Sequence, residues 1–478
     1  MRAHELLLFV RAYPQNARVA RLSEALLRTF GEKVSQLRDR DVDLSSLEHP
    51  EMSGIAGTSV TDTFSFYIVR SLVQRYPSQL SIYWDWFESE NRLAETWPRF
   101  MPLLEEDALV EANVPYREWL AAARRRRSEV SWLIERFDQL EVSDKQKAEL
   151  YDSQQIYVQW TPAFRSTRTG MRVPVEQMFY HRGLLIQRRD INLTAELTAA
   201  APPMRKLTLR DGEKALDLAR DASTVRYREL YGFTHGDPRH VYEVDLGRGV
   251  QLQLMGLPAE KRLPLRAYHA AMIYKNGVPI GYFEGLSLFE RMESGFNLYY
   301  TFRDGETAWL YARILNVMHR FAGVSSFAID PYQIGYENEE GIESGAFWFY
   351  RKLGFRPTRR KVLQLVEKEE EKISTRSGYR TSPRTLRRLA ESPMIFELDK
   401  RRVGDWDRFQ VRRIGLRTQR RNFESLFSLM PAWNRWSSGE RDLLKRIVRA
   451  KNAAEETTYL KLMRRHERLR SELIKLGS

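Results

Sequence analysis

Cysteine is absent from all 478 residues, which excludes disulfide frameworks, thiolate metal sites and cysteine nucleophiles. Long apolar runs are absent too, since none approaches the roughly 18–20 residues that span a bilayer. The first residues contain only a short apolar core, residues 6–10, with no small-residue cleavage site, and do not fit a signal peptide. These absences predict a soluble, cytoplasmic protein with no membrane segment.

Metal-ligand patterns are also missing. The histidines His235, His240 and His269 have no ligand-type spacing to nearby carboxylates, and the chain contains no H-E-x-x-H motif. The sequence therefore predicts no metal.

The composition nevertheless suits folded domains, with 42% hydrophobic and 12% aromatic residues. The length predicts two or three domains. The net charge of +14 is uneven: residues 372–478 hold 27 of the 77 Lys and Arg but only 12 of the 63 Asp and Glu. The excess positive charge therefore belongs to the C-terminal region.

Hydrophobic periodicity and turn residues divide the chain into segments. A pair of prolines at residues 202–203 marks the first firm boundary, because they cannot continue a helix or a central strand. The predicted segments are a mainly helical N-terminal domain (1–150), a mixed connector (151–203), an α/β domain (204–368), a linker (369–383) and a basic helical C-terminal region (384–478).

A glycine- and hydroxyl-rich stretch, GIAGTSVTDTF, occupies residues 54–64. Such a turn can present backbone N–H groups to a phosphate. It lacks the Gly-Lys-Ser/Thr ending of a P-loop, and a loop with a helix N-cap is the favoured interpretation.

In residues 204–368 the pattern alternates between strands and helices. Asn276-Gly277 between two apolar runs predicts a hairpin, and the segment RDGETAWLYARILNVMHRFAG, residues 303–323, predicts a helix with a stop at Gly323. Residues 361–368, KVLQLVEK, are predicted to form a last strand. The order is that of a mixed α/β domain in which an antiparallel meander leads into a parallel pair.

Residues 343–355 read ESGAFWFYRKLGF, directly after a strand that ends in Asp330-Pro331. This stretch and the order of elements over residues 204–368 resemble the GNAT family of acyl-CoA-dependent N-acyltransferases. Members often carry Asn-x-x-Ala-x-x-x-Tyr-x-x-x-Gly-Phe on the helix after the fifth strand. Glu343 stands at the asparagine position. The remaining positions are occupied by Ala346, Tyr350, Gly354 and Phe355.

The resemblance implies a GNAT-like α/β fold, a mixed central sheet flanked by helices, with acetyl-CoA as the co-substrate and an amine as the acceptor. It gives Tyr350 the role of the acid that protonates the departing CoA thiolate. A phenol with a pKa of about 10 can serve when it is positioned beside a thiolate with a pKa of about 8.5. An ordinary core helix with a glycine stop is the alternative interpretation.

The family binds the CoA diphosphate at the start of the helix after its fourth strand. The corresponding segment is residues 302–308, in which Asp304 and Glu306 add negative charge and depart from the family pattern. The strand before it hydrogen-bonds the pantetheine arm in relatives. The candidate cofactor-binding residues are Tyr299, Tyr300, Arg303, Gly305, Thr307, Ala308 and Ala346.

Acyl transfer also needs a base for the ammonium proton, and Glu284 and Asp330 are the candidates. The acidic segment 332–343, which carries Glu337, Glu339 and Glu340, would as a lid favour a cationic amine such as a polyamine or a lysine side chain. A solvated surface loop is the equal alternative.

Two other functions stay open. One is a non-catalytic GNAT-like scaffold that binds nucleic acid or a protein through residues 372–478; packing of these helices against the body is favoured over nucleic-acid binding. The other is a Fem-like transferase that uses aminoacyl-tRNA, although residues 1–200 hold no second Tyr-x-x-x-Gly-Phe. Nucleic-acid binding by residues 372–478 is considered because this basic region includes aromatic residues, namely Trp406, Phe409, Phe423, Trp433 and Trp436.

Overall fold

The computed structural model describes residues 2–47, 52–86, 100, 116–418, 422–453 and 455–478. Within these ranges the chain forms α-helices and β-strands, numbered here in chain order. The helices are α1 (Arg2–Ala12), α2 (Ala17–Arg28), α3 (Phe30–Arg38), α4 (Phe66–Arg75), α5 (Tyr116–Arg124), α6 (Glu129–Gln139), α7 (Asp144–Gln154), α8 (Leu193–Thr198), α9 (Leu209–Thr224), α10 (Tyr231–Thr234), α11 (Thr307–Ala322), α12 (Glu339–Glu343), α13 (Ala346–Arg351), α14 (Arg360–Thr375), α15 (Pro383–Leu389), α16 (Val411–Gly415), α17 (Ser438–Ala453), α18 (Glu456–Met463) and α19 (Glu467–Gly477).

The strands form two sheets. The strands are β1 (Val60–Asp62), β2 (Leu80–Ile82), β3 (Val158–Trp160), β4 (Met204–Lys206), β5 (Val241–Gly247), β6 (Val250–Met255), β7 (Ala267–Lys275), β8 (Val278–Leu288), β9 (Arg291–Leu298), β10 (Ser326–Ile329), β11 (Arg356–Pro357) and β12 (Met394–Glu397). The architecture is therefore mixed α/β, as expected for the central part of the chain.

The chain divides into two compact units. The first unit comprises Met1–Arg11, Ala17–Val173 and Leu216–Thr234, and the second comprises Ala12–Asn16, Pro174–Ala215 and His235–Ser478.

The first unit contains the three-stranded sheet, in the order β1-β3-β2. Trp160 on the middle strand is fully buried in a core with Phe66, Phe137 and Tyr151. Serine caps begin the helices around this core: the side chain of Ser143, for example, accepts from the backbone N–H of Gln146, whose side chain accepts from the backbone of Ser143.

The second unit contains the nine-stranded sheet, in the order β11-β12-β10-β9-β8-β7-β6-β5-β4. Among its described strand pairs, only β9–β10 is parallel, and the others are antiparallel. The hairpin at Asn276-Gly277 is confirmed, with φ of 48° and 79°, because a two-residue turn of this type requires positive φ at both positions. The helix α11 and its left-handed stop at Gly323 are confirmed as well.

The prediction of a last strand at residues 361–368 is wrong, because these residues lie within α14. The β-branched valines suggested a strand, but Val362, Val366 and Glu369 are the buried positions, and their spacing of four and three follows one face of a helix. The strands that complete the sheet are instead β11 and β12. Strand β12 comes from within residues 384–478, where the sequence pattern indicated only helices, and it lies between β10 and β11.

Candidate active site

The site is organised by the place where the two parallel strands part. Strand β10 pairs with β9 only as far as Ala328 opposite Glu293, whereas β9 continues to Leu298 and stays paired with β8 on its other side. From Ser294 onward, the edge of β9 that faces β10 therefore carries backbone groups outside the β9–β10 ladder. Such an edge can hydrogen-bond an extended ligand arm.

On one face of this edge lies a cluster of aromatic side chains. The hydroxyl oxygen of Tyr311, on α11, lies 2.8 Å from the hydroxyl oxygen of Ser294. The ring of Tyr350, on α13, contacts Tyr311 edge-on with ring centroids 5.6 Å apart, and also contacts Phe355. Tyr350 is only 4% exposed, and burial raises the pKa of its hydroxyl. Tyr350 is therefore protonated at neutral pH.

The base candidate Glu284 lies on the opposite face of the sheet. Glu284 is directly across from Gly295, and successive residues on a strand point to opposite faces, so Glu284 and Ser294 belong to different faces. Tyr268 donates a hydrogen bond to the carboxylate of Glu284. Burial raises the pKa of Glu284, although the Tyr268 bond opposes the shift. The side chain is thus a partly buried carboxylate beside the parting strands.

Asp330, the other base candidate, directly follows β10. Its carboxylate accepts from the backbone N–H of Tyr332 at 2.9 Å and caps the short helical turn after the strand. Burial raises the pKa of Asp330, and the neighbouring carboxylate of Glu293 adds to the shift. The capping bond gives the carboxylate of Asp330 a structural role, whereas the Glu284 carboxylate caps no described helix.

The start of α11 carries less exposed negative charge than the sequence indicates. Glu306 is 1% exposed and turned inward, where it forms ion pairs with Arg248 and with the ammonium of Lys275, 3.6 Å away. Burial opposes ionisation, but the hydrogen bond from Arg248 holds the pKa of Glu306 below its usual value. The side chain of Glu306 makes no capping bond to α11. Its negative charge is therefore neutralised inside the fold, while Asp304 remains exposed.

Several predicted cofactor-binding residues lie around this helix start. Thr307 is the first helical residue, and its hydroxyl donates to the backbone oxygen of Arg303 at 2.8 Å; Ala308 is buried behind it. Gly305 packs against Tyr13, since a Cβ at this position would lie 2.5 Å from the Tyr13 hydroxyl oxygen. A side chain larger than hydrogen does not fit there without a shift of Tyr13.

The remaining predicted residues have mixed environments. Tyr300 is 63% exposed, with the guanidinium of Arg303 5.7 Å from its ring centroid, whereas Tyr299 is buried. The Arg303 guanidinium forms an ion pair with Glu340. Ala346 is the first residue of α13, next to Gly345 in a left-handed conformation. The structure thus brings Tyr300 and Arg303 together, but Arg303 is already paired.

The acidic segment is partly neutralised. Glu339 and Glu340 belong to the short helix α12, and Arg387 binds Glu339 through two hydrogen bonds of 3.0 and 2.8 Å. With Glu340 paired to Arg303, two of the carboxylates proposed to attract a cationic substrate already have cationic partners.

The aromatic residues of the basic region are mostly core residues. Trp433 is half-buried. The indole N–H of Trp406 donates to Glu290 at 2.8 Å, and Arg470 binds the same carboxylate. Four of the five rings are buried, those of Trp406, Phe409, Phe423 and Trp436. Because buried rings cannot stack on nucleic-acid bases, these four do not form a stacking surface for nucleic acid.

The sequence did not reveal the roles of Tyr311 and Ser294, or of Arg248 and Lys275, the two cations that bind Glu306. Tyr311 lies among the apolar residues of a helix, so its hydroxyl did not stand out in the sequence. The strand register and the contact with Tyr311 are needed to place the Ser294 hydroxyl at the site. Lys275 gave a usable signal, since it precedes the hairpin turn in a run of apolar residues. Such a lysine, which is fully buried here, requires an anionic partner.

Among the described residues, no group of three or more histidine and acidic side chains is arranged to hold a metal ion. No described helix combines the length and hydropathy needed to cross a membrane. No protein-family model, curated protein or solved structure gives a significant match to this chain.

Proposed function

We propose that this chain is a cytoplasmic N-acyltransferase of GNAT-like fold that moves an acetyl group from acetyl-CoA to an amine. The observation that carries the proposal is the parting of β9 and β10. Tyr350, which contacts Tyr311, lies on one face of the sheet at this point, and Glu284 lies on the other face. A thioester lying along the free edge of β9 would have an acid available on one side and a base on the other.

The reaction forms one bond at the acyl carbon and breaks another. The lone pair of the amine attacks the thioester carbonyl, the C–N bond forms, and the C–S bond breaks. Tyr350 gives its proton to the departing thiolate, and its raised pKa ensures that it holds that proton beforehand. The ammonium proton passes to Glu284, directly or through water, since the ionised carboxylate is an acceptor.

The start of α11 supports diphosphate binding. Uncapped N–H groups and the positive end of the helix dipole favour an anion. The inward ion pairs of Glu306 remove the charge that would have repelled a diphosphate. Contact between Arg303 and a diphosphate would require Arg303 to leave Glu340.

Calorimetric titration of the full-length protein with acetyl-CoA tests the proposal. We expect binding with a dissociation constant on the order of 10–100 µM, the range of ordinary substrate affinities. Thr307→Glu, which adds a carboxylate at the helix start, should weaken binding by about tenfold through charge repulsion. Thr375→Glu, at the far end of α14, is the matched control. Absence of binding at millimolar acetyl-CoA would overturn the proposal.

A further inference from the structure

The three-stranded sheet of the first unit has one buried face and one open polar face. Val60, Leu80 and Trp160 point into the core. Because side chains alternate along a strand, Thr61 and Gln159 belong to the other face, where the register aligns them in one row with Ser81. Polar residues on every strand of this row distinguish the face from an incomplete core.

A second polar row lies beside the first. The hydroxyl oxygens of Ser59 and Thr161, one residue beyond β1 and β3, are 2.8 Å apart, and the side-chain N–H of Gln159 donates to the Thr61 hydroxyl at 3.3 Å. Hydroxyl and primary amide groups each donate and accept hydrogen bonds. The two rows therefore form a fixed grid that can bind a ligand presenting both donors and acceptors.

Aromatic side chains stand at one end of this grid. The ring of Trp86 contacts Tyr83 and Tyr157, with ring centroids 5.0 and 5.7 Å apart, and yet Trp86 remains 45% exposed. On the side of β1, the hydroxyl of Tyr227 accepts from the backbone N–H of Thr61 at 3.3 Å, and its ring stacks on Phe64. Rigid aromatic faces of this kind pack against flat ligand surfaces at low entropic cost.

A cleft of about 550 Å³, within the size range of small-molecule sites, is lined by Ser59, Thr61, Tyr83, Trp86, Gln159, Thr161 and Tyr227. Among the described residues that line it, the charged ones are one of each sign: Arg38, which donates to the backbone oxygen of Gly57 at 2.6 Å, and Asp62, which accepts from the backbone N–H of Thr63. A polyanion would meet a carboxylate and a single cation, and an apolar ligand would desolvate the hydroxyl grid without replacing its water.

We propose that this cleft binds a neutral saccharide. A pyranose ring offers an apolar face to Trp86 and hydroxyl groups at its rim to Thr61, Gln159 and the Ser59–Thr161 pair. The glycine- and hydroxyl-rich stretch of residues 54–64 thus contributes a wall of the cleft through Gly57 and strand β1. This site belongs to the first unit and does not depend on acyl transfer.

The test is a calorimetric titration of the full-length protein with cellohexaose, maltohexaose and chitohexaose. We expect at least one of them to bind with a dissociation constant below about 1 mM. Trp86→Ala and Gln159→Ala should each weaken that binding by about tenfold or more, as expected for central contact residues. Tyr336→Ala is the matched control, because Tyr336 is 44% exposed and lies outside the cleft.

Circular dichroism melting of each variant shows whether it is folded. If no hexasaccharide binds at millimolar concentration, or if binding is unchanged in both cleft variants, the proposal is overturned. Binding of inorganic pyrophosphate or ADP that is lost in Arg38→Ala, without any saccharide binding, would also overturn it and would assign the cleft to a phosphate-bearing ligand.

Discussion

The candidate site on the nine-stranded sheet and the open face of the three-stranded sheet hold their polar side chains in different ways. In the unit with the nine-stranded sheet, Glu284 and Glu306 are held by a neighbouring tyrosine or by cations, and burial raises the pKa of Tyr350. In the unit with the three-stranded sheet, Thr61 and Gln159 lie on an open face. Their side chains carry no charge and undergo no titration near neutral pH.

This difference separates two kinds of task. Proton transfer needs groups whose pKa and orientation are set by burial and by fixed partners. Recognition of a neutral, hydrated ligand needs donors and acceptors that remain accessible and do not change protonation state. Under the two proposals, chemistry belongs to the site on the nine-stranded sheet and binding to the three-stranded sheet. The following predictions test whether the groups of the first site have the protonation, pairing and catalytic role that this contrast requires.

The largest effect is expected from Tyr350→Phe. Loss of the phenolic proton should lower kcat by about 10³-fold, because the thiolate then leaves unprotonated, whereas the affinity for acetyl-CoA should stay the same. Steady-state acetylation assays and calorimetry measure the two quantities, with Tyr231→Phe as the control. An unchanged kcat would reduce the aromatic cluster to core packing and would break the comparison.

Glu306→Ala tests whether the buried charges are a structural unit. Removing the carboxylate leaves Arg248 and Lys275 without their anion, and we expect a loss of about 3 kcal/mol in the free energy of unfolding. Urea denaturation measures it. Glu339→Ala removes a solvent-exposed ion pair and should leave the urea midpoint unchanged. Equal midpoints for the two variants would show that burial does not distinguish these carboxylates.

Glu284→Gln should lower kcat/KM by about 10²-fold at neutral pH, a smaller effect than that of Tyr350→Phe because water can also accept the amine proton. Burial raises the pKa of Glu284, so the activity of the unmodified protein should fall as the pH drops through that raised pKa. The Gln variant should lack this acidic limb. A pH–rate profile with the same limb in both proteins would remove Glu284 as the base.

In the unit with the nine-stranded sheet, the sequence predicted the local turns and helix ends. It missed the features that depend on pairing between residues far apart in the chain. The hairpin at Asn276-Gly277 and the stop of α11 at Gly323 follow from positive φ, which glycine and asparagine adopt readily. Strand β12 could not be foreseen, because its place between β10 and β11 is set by partners far away in sequence. The same holds for Glu306, whose charge looked exposed until Arg248 and Lys275 were found beside it.

For the candidate site, the sequence supplied individual residues but not their arrangement. The family resemblance pointed to Tyr350, Glu284 and Asp330. Only the strand register shows that Glu284 and the Ser294–Tyr311 pair lie on different faces of the sheet. Capping by Asp330 could likewise be recognised only when the turn after β10 was seen.

The smallest effect concerns His181, which lies beside the buried ion pairs. Neither ring nitrogen has a hydrogen-bond partner among the described residues, and burial, together with the nearby Lys275 cation, lowers the pKa of His181 to about 4. Between pH 6.5 and 4 the unfolded chain therefore binds a proton that the folded chain does not, so stability is lost as the pH falls. In His181→Phe, urea midpoints measured across this interval should fall less steeply than in the unmodified protein. Identical slopes would mean that His181 takes up its proton in the folded chain as readily as in the unfolded chain. Burial would then not control the protonation of this histidine, and the contrast with the open polar sheet would be weaker.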